Sequence, residues 1–249
     1  KAPKLAVIGL GKLGRRELSY GSDLDLMFVY SEKPKLSGTL DNRSYFTKVC
    51  GRLLNAVGGI SRYGLVYRVD TRLRPEGEQG PIVITDDAAR SYYKKRGALW
   101  ERMALSGARP VAGNIAFGGQ FLKSLDDYIY GGFTKKDDEQ VRELKRKIEM
   151  EKIKNYKKIS IKYGSGGIVD IEFLAQKLKL ARGGGAPHIR DYNTLEMLEA
   201  IEKEEWTVDN PAALIEAYKL LRVVETHIRM ETGRGAETLP DKAENLRSL

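Results

Sequence analysis

Asp23 and Asp25 stand one residue apart in the run Gly21-Ser22-Asp23-Leu24-Asp25-Leu26-Met27-Phe28-Val29-Tyr30. In a strand, where side chains alternate, the two point to the same face. Carboxylates that close repel each other unless a positive charge lies between them, so a hard divalent cation with oxygen ligands is the natural occupant. The competing reading is a pair of exposed acids leading a strand at a sheet edge. Asp70, which closes the run Leu65-Val66-Tyr67-Arg68-Val69-Asp70, is the third acid that separates the two readings. Three carboxylates converging from adjacent strands make a site for one or two Mg²⁺ ions, which clamp a triphosphate and activate an attacking oxygen for in-line displacement. Immediately beyond come Arg72 and Arg74, which share a face if the strand continues and whose guanidinium forks match phosphate oxygens. Lys12, with the backbone N–H groups of Gly11 to Gly14 at a helix start, offers a second anion seat. For all three basic residues, an ordinary salt bridge to a nearby acid is the alternative.

Other residues carry weaker signals. Gly9-Leu10-Gly11-Lys12-Leu13-Gly14 after an apolar strand matches the dinucleotide fingerprint, and Glu32 stands where a ribose-binding acid belongs. Yet Arg15 to Tyr20 leaves room for under two helical turns before Gly21-Ser22, too little for the helix of a nicotinamide or flavin enzyme. Trp100 and Trp206 read as core residues rather than base-stacking platforms, and Glu101, Arg102 and Arg109 as an internal ion network supporting the site. Gly164 to Gly167 precede a helical pattern and suit either a phosphate seat or an interdomain turn. Asp170 and Glu172, two apart on that helix, cannot share a face. His188 reads as a loop residue rather than a catalytic base.

These side chains must be positioned by a mixed framework. Strands are expected over Leu5–Ile8, Leu24–Tyr30, Leu65–Val69 and Ile82–Ile84, with helices over Tyr45–Val57 and Ala88–Leu105. After Gly113 the strand signals stop. Helices are expected over Gln120–Tyr130, Glu139–Tyr156, Ile168–Ala181, Thr194–Glu202 and Ala212–Glu231, the last with a core face of Leu214, Ala217, Leu221, Val224 and Ile228. The class is therefore α+β, in two domains: residues 1–120 carrying the chemistry, and an all-helical bundle over 121–249.

Composition bounds the rest. The 249 residues are 41% hydrophobic and 31% charged, which excludes a disordered chain. No apolar run approaches the ~20 residues of a membrane-spanning helix, and no leader is visible, so a cytoplasmic protein is expected. The single cysteine, Cys50, cannot form an internal disulfide, and with only two histidines there is no ligand set for zinc. A net charge of +9 suggests polyanionic partners. A solvated basic surface explains it equally, and the basic stretch Lys135–Lys158, with Glu139, Glu143 and Lys147 alternating in sign, reads first as an exposed helix face. A nucleic-acid-binding module stands as the rival class, one whose affinity would fall steeply with salt and would not need the three acids.

A glycine-containing turn, a short helix, Asp-x-Asp on a strand and a later third acid together resemble the polymerase-β-like nucleotidyltransferase fold. More narrowly, Gly9-Leu10-Gly11-Lys12-Leu13-Gly14 with Gly21-Ser22-Asp23-Leu24-Asp25, Tyr67-Arg68-Val69-Asp70-Thr71-Arg72-Leu73-Arg74-Pro75, Trp100-Glu101-Arg102 with Ala108-Arg109, and Gly166-Gly167-Ile168-Val169-Asp170-Ile171-Glu172-Phe173 resemble the bacterial glutamine synthetase adenylyltransferase/adenylyl-removing family. That resemblance implies one nucleotidyltransferase half of a bifunctional enzyme, moving AMP from ATP to a tyrosine of glutamine synthetase. Val169-Asp170-Ile171-Glu172-Phe173 and Gly21-Ser22-Asp23-Leu24-Asp25 are more similar to the adenylylating half than to the half that removes AMP by phosphorolysis. It also implies catalytic and metal-binding roles for Asp23, Asp25 and Asp70, nucleotide or phosphate contacts from Gly11, Lys12, Gly21, Ser22, Arg72 and Arg74, and glutamine synthetase, glutamine and the PII signal protein as partners. Three positions depart from the family pattern. Arg15 stands where glycine is usual, Gly107 where a basic residue is common, and Ser160 where an aspartate usually precedes Ile-Lys.

Overall fold

The computed structural model describes residues 2–34, 41–62, 64, 65, 67–153, 159–204, 206–232 and 239. The chain divides into two compact units, one formed by Lys1–Leu18 and Ser22–Gly131, the other by Ser19–Gly21 and Gly132–Leu249.

The first unit is a small mixed sheet with helices. Strand β1 (Leu5–Gly9) runs to a one-turn helix α1 (Gly11–Gly14) and on to β2 (Leu24–Tyr30), which pairs antiparallel with β1 in the register Leu5 to Tyr30 through Gly9 to Leu26. Helix α2 (Asn42–Gly58) is capped by Asp41, whose carboxylate accepts from the Ser44 N–H. A two-stranded ladder, β3 (Ile60–Ser61) with β4 (Gly64–Leu65), follows, then the short strand β5 (Val69–Asp70). Next come β6 (Val83–Thr85), α3 (Asp86–Arg96), α4 (Leu99–Leu105) and β7 (Arg109–Gly113). Helices α5 (Ile115–Lys123) and α6 (Asp126–Tyr130) complete the unit.

The main sheet order is β5-β2-β1-β7, with β6 also on β2; β2 is parallel to β5 and β6, and β1 antiparallel to β2 and β7. Helices cover both faces, so β1 and β2 read as continuous apolar runs rather than alternating ones. On one face Val7, Leu26, Phe28 and Tyr30 pack with Phe46 and Cys50 of α2 and with Val83. On the other, Tyr93 of α3 reaches the Met27 sulfur, and Gly118 of α5 sits so close to Ala6 and Pro110 that a Cβ there would lie 3.0 Å and 2.9 Å from them. Burial pushes the Cys50 thiol up to about 12, which leaves it a core residue without reactivity.

The second unit is helical: α7 (Lys135–Lys152), α8 (Ile168–Arg182), α9 (Thr194–Lys203) and α10 (Pro211–Thr232), with a 3₁₀ turn at Pro187–Asp191. Thr134 with Asp137 and Asn193 with Glu196 form capping boxes for α7 and α9. Its core is Ile168, Ile171, Leu198, Ile201, Ile215 and Tyr218, with Trp206 packed against it. Among the described residues no helix is long and apolar enough to cross a membrane.

Several expectations change in detail. The helix expected over Ala88–Leu105 is two helices, broken at Gly97-Ala98, because the Tyr128 hydroxyl donates to the Ala98 carbonyl and lies 2.4 Å from where a Gly97 Cβ would be. The single helix expected over Gln120–Tyr130 is likewise two. The strand expected over Leu65–Val69 is two short pieces with Tyr67 and Arg68 irregular between them, and Val66 lies outside the described residues, as do residues 154–156 of the expected Glu139–Tyr156 helix. Strand β7 is an addition to the expected strands, and its Pro110 is tolerated because β7 lies at the sheet edge. Trp100 is not a core residue, being 37% exposed.

Candidate active site

The parallel pairing of β2 with β5 sets Asp25 directly beside Asp70, and Asp23 stands just before β2. The Leu24 N–H donates to the Arg68 carbonyl, which locks this register. Asp25 is largely enclosed; burial first, then the charges of Asp70 and Asp23, push its carboxyl up to about 6, against the opposing pull of Arg15 and Arg72. Three carboxylates of one cluster thus act on each other, which is the condition that favours a cation among them. An open cleft of about 490 Å³ lies beside them, lined by Asp23, Arg68, Asp70, Arg72 and Arg74 among others. That is large enough for a nucleotide's phosphates and sugar.

The acids are not a preformed cage: among the described residues, no three His, Cys, Asp or Glu side chains stand close enough together to ligate one ion. One of the acids, Asp70, is held by Arg72. Its backbone N–H donates to Asp70 Oδ1 at 2.8 Å and its Nε to Oδ2 at 2.9 Å, and this arginine holds the Asp70 carboxyl below the usual range. The Arg72 side chain itself is 66% exposed, so it can leave Asp70 at small cost when a stronger partner arrives.

Arg74 behaves differently from its neighbour, because the strand stops at Asp70 and residues beyond it turn. Its guanidinium is buried and its donors go to the loop itself: Nη1 to the Thr71 carbonyl and hydroxyl, Nη2 to the carbonyls of Glu78 and Gly80, and Nε to Gly80. Arg72 and Arg74 therefore do not share a face. Arg74 staples the loop that presents Arg72, and in this arrangement its five N–H donors are occupied.

The glycines of the first turn are there for close approach. A Cβ on Gly11, whose φ is +51°, would lie 2.2 Å from Asp25 Oδ2; one on Gly14 would lie 2.2 Å from the Gly107 carbonyl oxygen. Helix α1, carrying half-buried Lys12, is thereby pressed against Asp25 and tied to β2 by the Leu10 N–H donating to the Asp25 carbonyl. At four residues, it is far shorter than the helix a dinucleotide fold requires. Gly21, with φ +64° and open space around it, is needed for its backbone conformation, and leads into buried Ser22.

Two side chains beside the site, Arg15 and Glu17, were not legible as such. Arg15 and Glu17 form an ion pair of 2.8 Å, both 9% exposed, and Arg15 Cγ lies 2.7 Å from where a Gly107 Cβ would be. The two departures from the family pattern, at 15 and 107, are thus neighbours in space: the arginine occupies the volume a side chain at 107 would need. Arg109 donates to the Gly14 carbonyl at 3.1 Å and fastens α1 from the other side. Glu101 and Arg102, expected in an ion network with Arg109, also bond the backbone. Glu101 accepts from the Ala98 N–H and Arg102 donates to the Ile129 carbonyl.

In the helical unit, Asp170 accepts from the Gly166 N–H and pairs with Lys145, while Glu172 lies 4.0 Å from Arg222. They do face different ways. The N–H groups of Gly164, Gly166 and Gly167 are taken by Ser160, Asp170 and Gly164, so the glycine run is a closed turn rather than a phosphate seat. His188 pairs with Glu204 on the surface.

The family model for glutamate-ammonia ligase adenylyltransferase matches residues 1–124, and that for GlnD PII-uridylyltransferase matches residues 135–249. Curated proteins align across nearly the whole chain. One from Hahella chejuensis named bifunctional glutamine synthetase adenylyltransferase/adenylyl-removing enzyme is 37% identical over 246 residues, 97% of this chain and 26% of that protein. The chain belongs to the glutamine synthetase adenylyltransferase/adenylyl-removing family. Proteins of the same name from Mesorhizobium japonicum, 36% identical over 98% of this chain and 25% of its own length, and from Xanthobacter autotrophicus, 37% identical over 95% and 25%, agree. The chain spans about a quarter of the length of these relatives.

Proposed function

We propose that the chain is a polymerase-β-like nucleotidyltransferase unit followed by a helical domain that begins at about residue 132, rather than at 121 inside α5 where the sequence put it, and that it moves AMP from ATP to a tyrosine of glutamine synthetase. The observation that carries this reading is the side-by-side register of Asp25 and Asp70 with Asp23 at the strand entrance, next to an open cleft with Arg72 at its rim. The donor set, carboxylates alone, suits Mg²⁺. Asp23, Asp25 and Asp70 would hold it, and the ion would supply positive charge to the triphosphate.

The chain's own side chains do the rest. Arg72, exposed to solvent, would transfer from Asp70 to phosphate, where it offsets charge on the departing pyrophosphate. That movement also frees Asp70, which the guanidinium otherwise keeps a poor base, to accept the proton of the attacking tyrosine. Gly11 lets α1 and Lys12 lie against the carboxylates, and Gly21 and Ser22 shape the entrance. Arg74 holds the loop. Glutamine and the PII signal protein belong to this proposal as regulators of the whole enzyme, and the cytoplasm as its compartment.

Incubating the chain with α-labelled ATP, Mg²⁺ and unmodified glutamine synthetase tests the reading. Label on a synthetase tyrosine is expected. Failure to label, with ADP formed from phosphate and the adenylylated synthetase, would assign the removing reaction instead. Formation of neither labelled synthetase nor ADP would overturn the assignment.

A further inference from the structure

Between Asp41 and Asp70 the chain carries five Lys or Arg and no Asp or Glu, although 34 of its 249 residues are acidic. This stretch is α2, the ladder of β3 and β4, and the approach to β5. It runs directly into the candidate site, and its last basic residue, Arg68, lines the cleft with Asp70. On α2, Lys48 and Arg52 are both exposed and, four apart, share a face. Lys48, Arg52 and Arg68 form no ion pair among the described residues, whereas Arg72, Arg90 and Arg96 of the same unit each have a carboxylate partner. The end of α2 packs on the chain between β4 and β5: a Cβ on Gly58 would lie 3.5 Å from Val69 Cγ2 and 3.8 Å from the Tyr67 carbonyl oxygen. The stretch also carries exposed apolar side chains. Ile60 and Leu65 stand directly opposite each other on the ladder, hence on one face of it, 86% and 45% exposed, and Tyr67 is exposed as well.

We propose that α2 and the β3–β4 ladder dock the protein acceptor, and that the segment they receive is acidic: its Asp and Glu side chains meet Lys48 and Arg52, its apolar residues cover Ile60 and Leu65, and its tyrosine reaches the cleft at Asp70. This rests on the function proposed above. Charge complementarity identifies the occupant. A solvated helix face relieves repulsion by mixing signs, as α7 does with its pairs Asp138 with Arg142 and Glu143 with Arg146. A face left wholly basic attracts acidic partners and rejects basic ones. The exposed aliphatic pair favours a polypeptide over a nucleic acid, since a phosphodiester backbone is satisfied by cations and offers Ile60 and Leu65 nothing to pack on. Position along the chain agrees. Only five residues lead from Leu65 to Asp70, a reach of at most ~18 Å, so an acceptor segment of ordinary loop length can lie on the ladder and enter the cleft.

Two double variants of the full chain test this, Lys48→Glu with Arg52→Glu and Ile60→Ser with Leu65→Ser. All four side chains are exposed, so both proteins should melt close to the wild type; if one does not, the other decides. The KM for glutamine synthetase should rise on the order of tenfold in each, with kcat and the KM for Mg-ATP within about twofold of the wild type. Added salt should raise the wild type's KM for the synthetase and act less on the charge-reversed variant. The acidic copolymer poly(Glu-Tyr) should inhibit labelling of the synthetase by the wild type and inhibit the charge-reversed variant far less. An unchanged KM for the synthetase in either folded variant overturns the proposal, as does a matching change in the KM for Mg-ATP. Absent inhibition by poly(Glu-Tyr), or inhibition undiminished in the charge-reversed variant, overturns it too. Duplex DNA that blocks labelling where poly(Glu-Tyr) does not would give this face to nucleic acid instead. A wild-type chain that labels no synthetase overturns the functional reading and this proposal with it, whereas an active wild type with unaffected variants overturns this proposal only.

Discussion

Asp25 is destabilised by its own surroundings, and that makes it testable apart from catalysis. Its folded carboxyl, pushed up to about 6 from the unperturbed 3.8, binds a proton more tightly than the unfolded chain does. Metal-free stability therefore falls as pH rises from about 4 through 6 and is flat above. Asn carries no such penalty. Asp25→Asn should match the wild type near pH 4 and exceed it by up to roughly 3 kcal/mol at pH 7 to 8, read by urea unfolding in EDTA. Equal stability of the two proteins across that range would contradict the crowding of Asp25 by burial, Asp70 and Asp23. Asp70 has the opposite sign: Arg72 lowers its carboxyl, so its contribution is complete above the unfolded value and is lost as pH falls through the folded one.

The loop after β5 separates two arginines that look alike in sequence. Removing exposed Arg72 (Arg72→Ala) should leave stability within about 1 kcal/mol and raise the KM for Mg-ATP, because an exposed ion pair contributes little to folding. Arg74→Ala leaves several loop carbonyls without donors and should cost about 2 to 4 kcal/mol, with activity lost through disorder of residues 71–80. Thermal melting beside transfer assays distinguishes them; a reversed pattern would exchange their roles. Nothing in Thr71-Arg72-Leu73-Arg74 announces this, since which arginine turns inward depends on where the strand ends. By contrast, β2 was legible to the residue, because a run buried on both faces by helices has no polar interruption from Leu26 to Tyr30. Helix α10 shows the limit from the other side. Periodicity places a core face through Leu214, Ala217, Leu221, Val224 and Ile228, but Ala217 is exposed and the buried face carries Glu225 and Arg229, charges that pattern reading assigns to solvent. In the same way the fingerprint glycines were visible while their reason was not: Gly11 is small so that it can touch Asp25, a residue of another element.

Across the molecule, the net charge of +9 and two units of unlike architecture are compatible with several functions, and only the carboxylate cluster distinguishes adenylyl transfer from a basic binding module. That cluster was found from residue spacing, and the paired strands explain why a spacing of forty-odd residues brings Asp70 beside Asp25. The most direct measurement is the rate of AMP transfer to glutamine synthetase by Asp25→Asn, made on the same folded preparation whose stability has been recorded. Loss of roughly a thousandfold or more in rate, in a protein at least as stable as the wild type, is the predicted result. Transfer within twofold of the wild type would contradict the assignment of Asp23, Asp25 and Asp70 as the site.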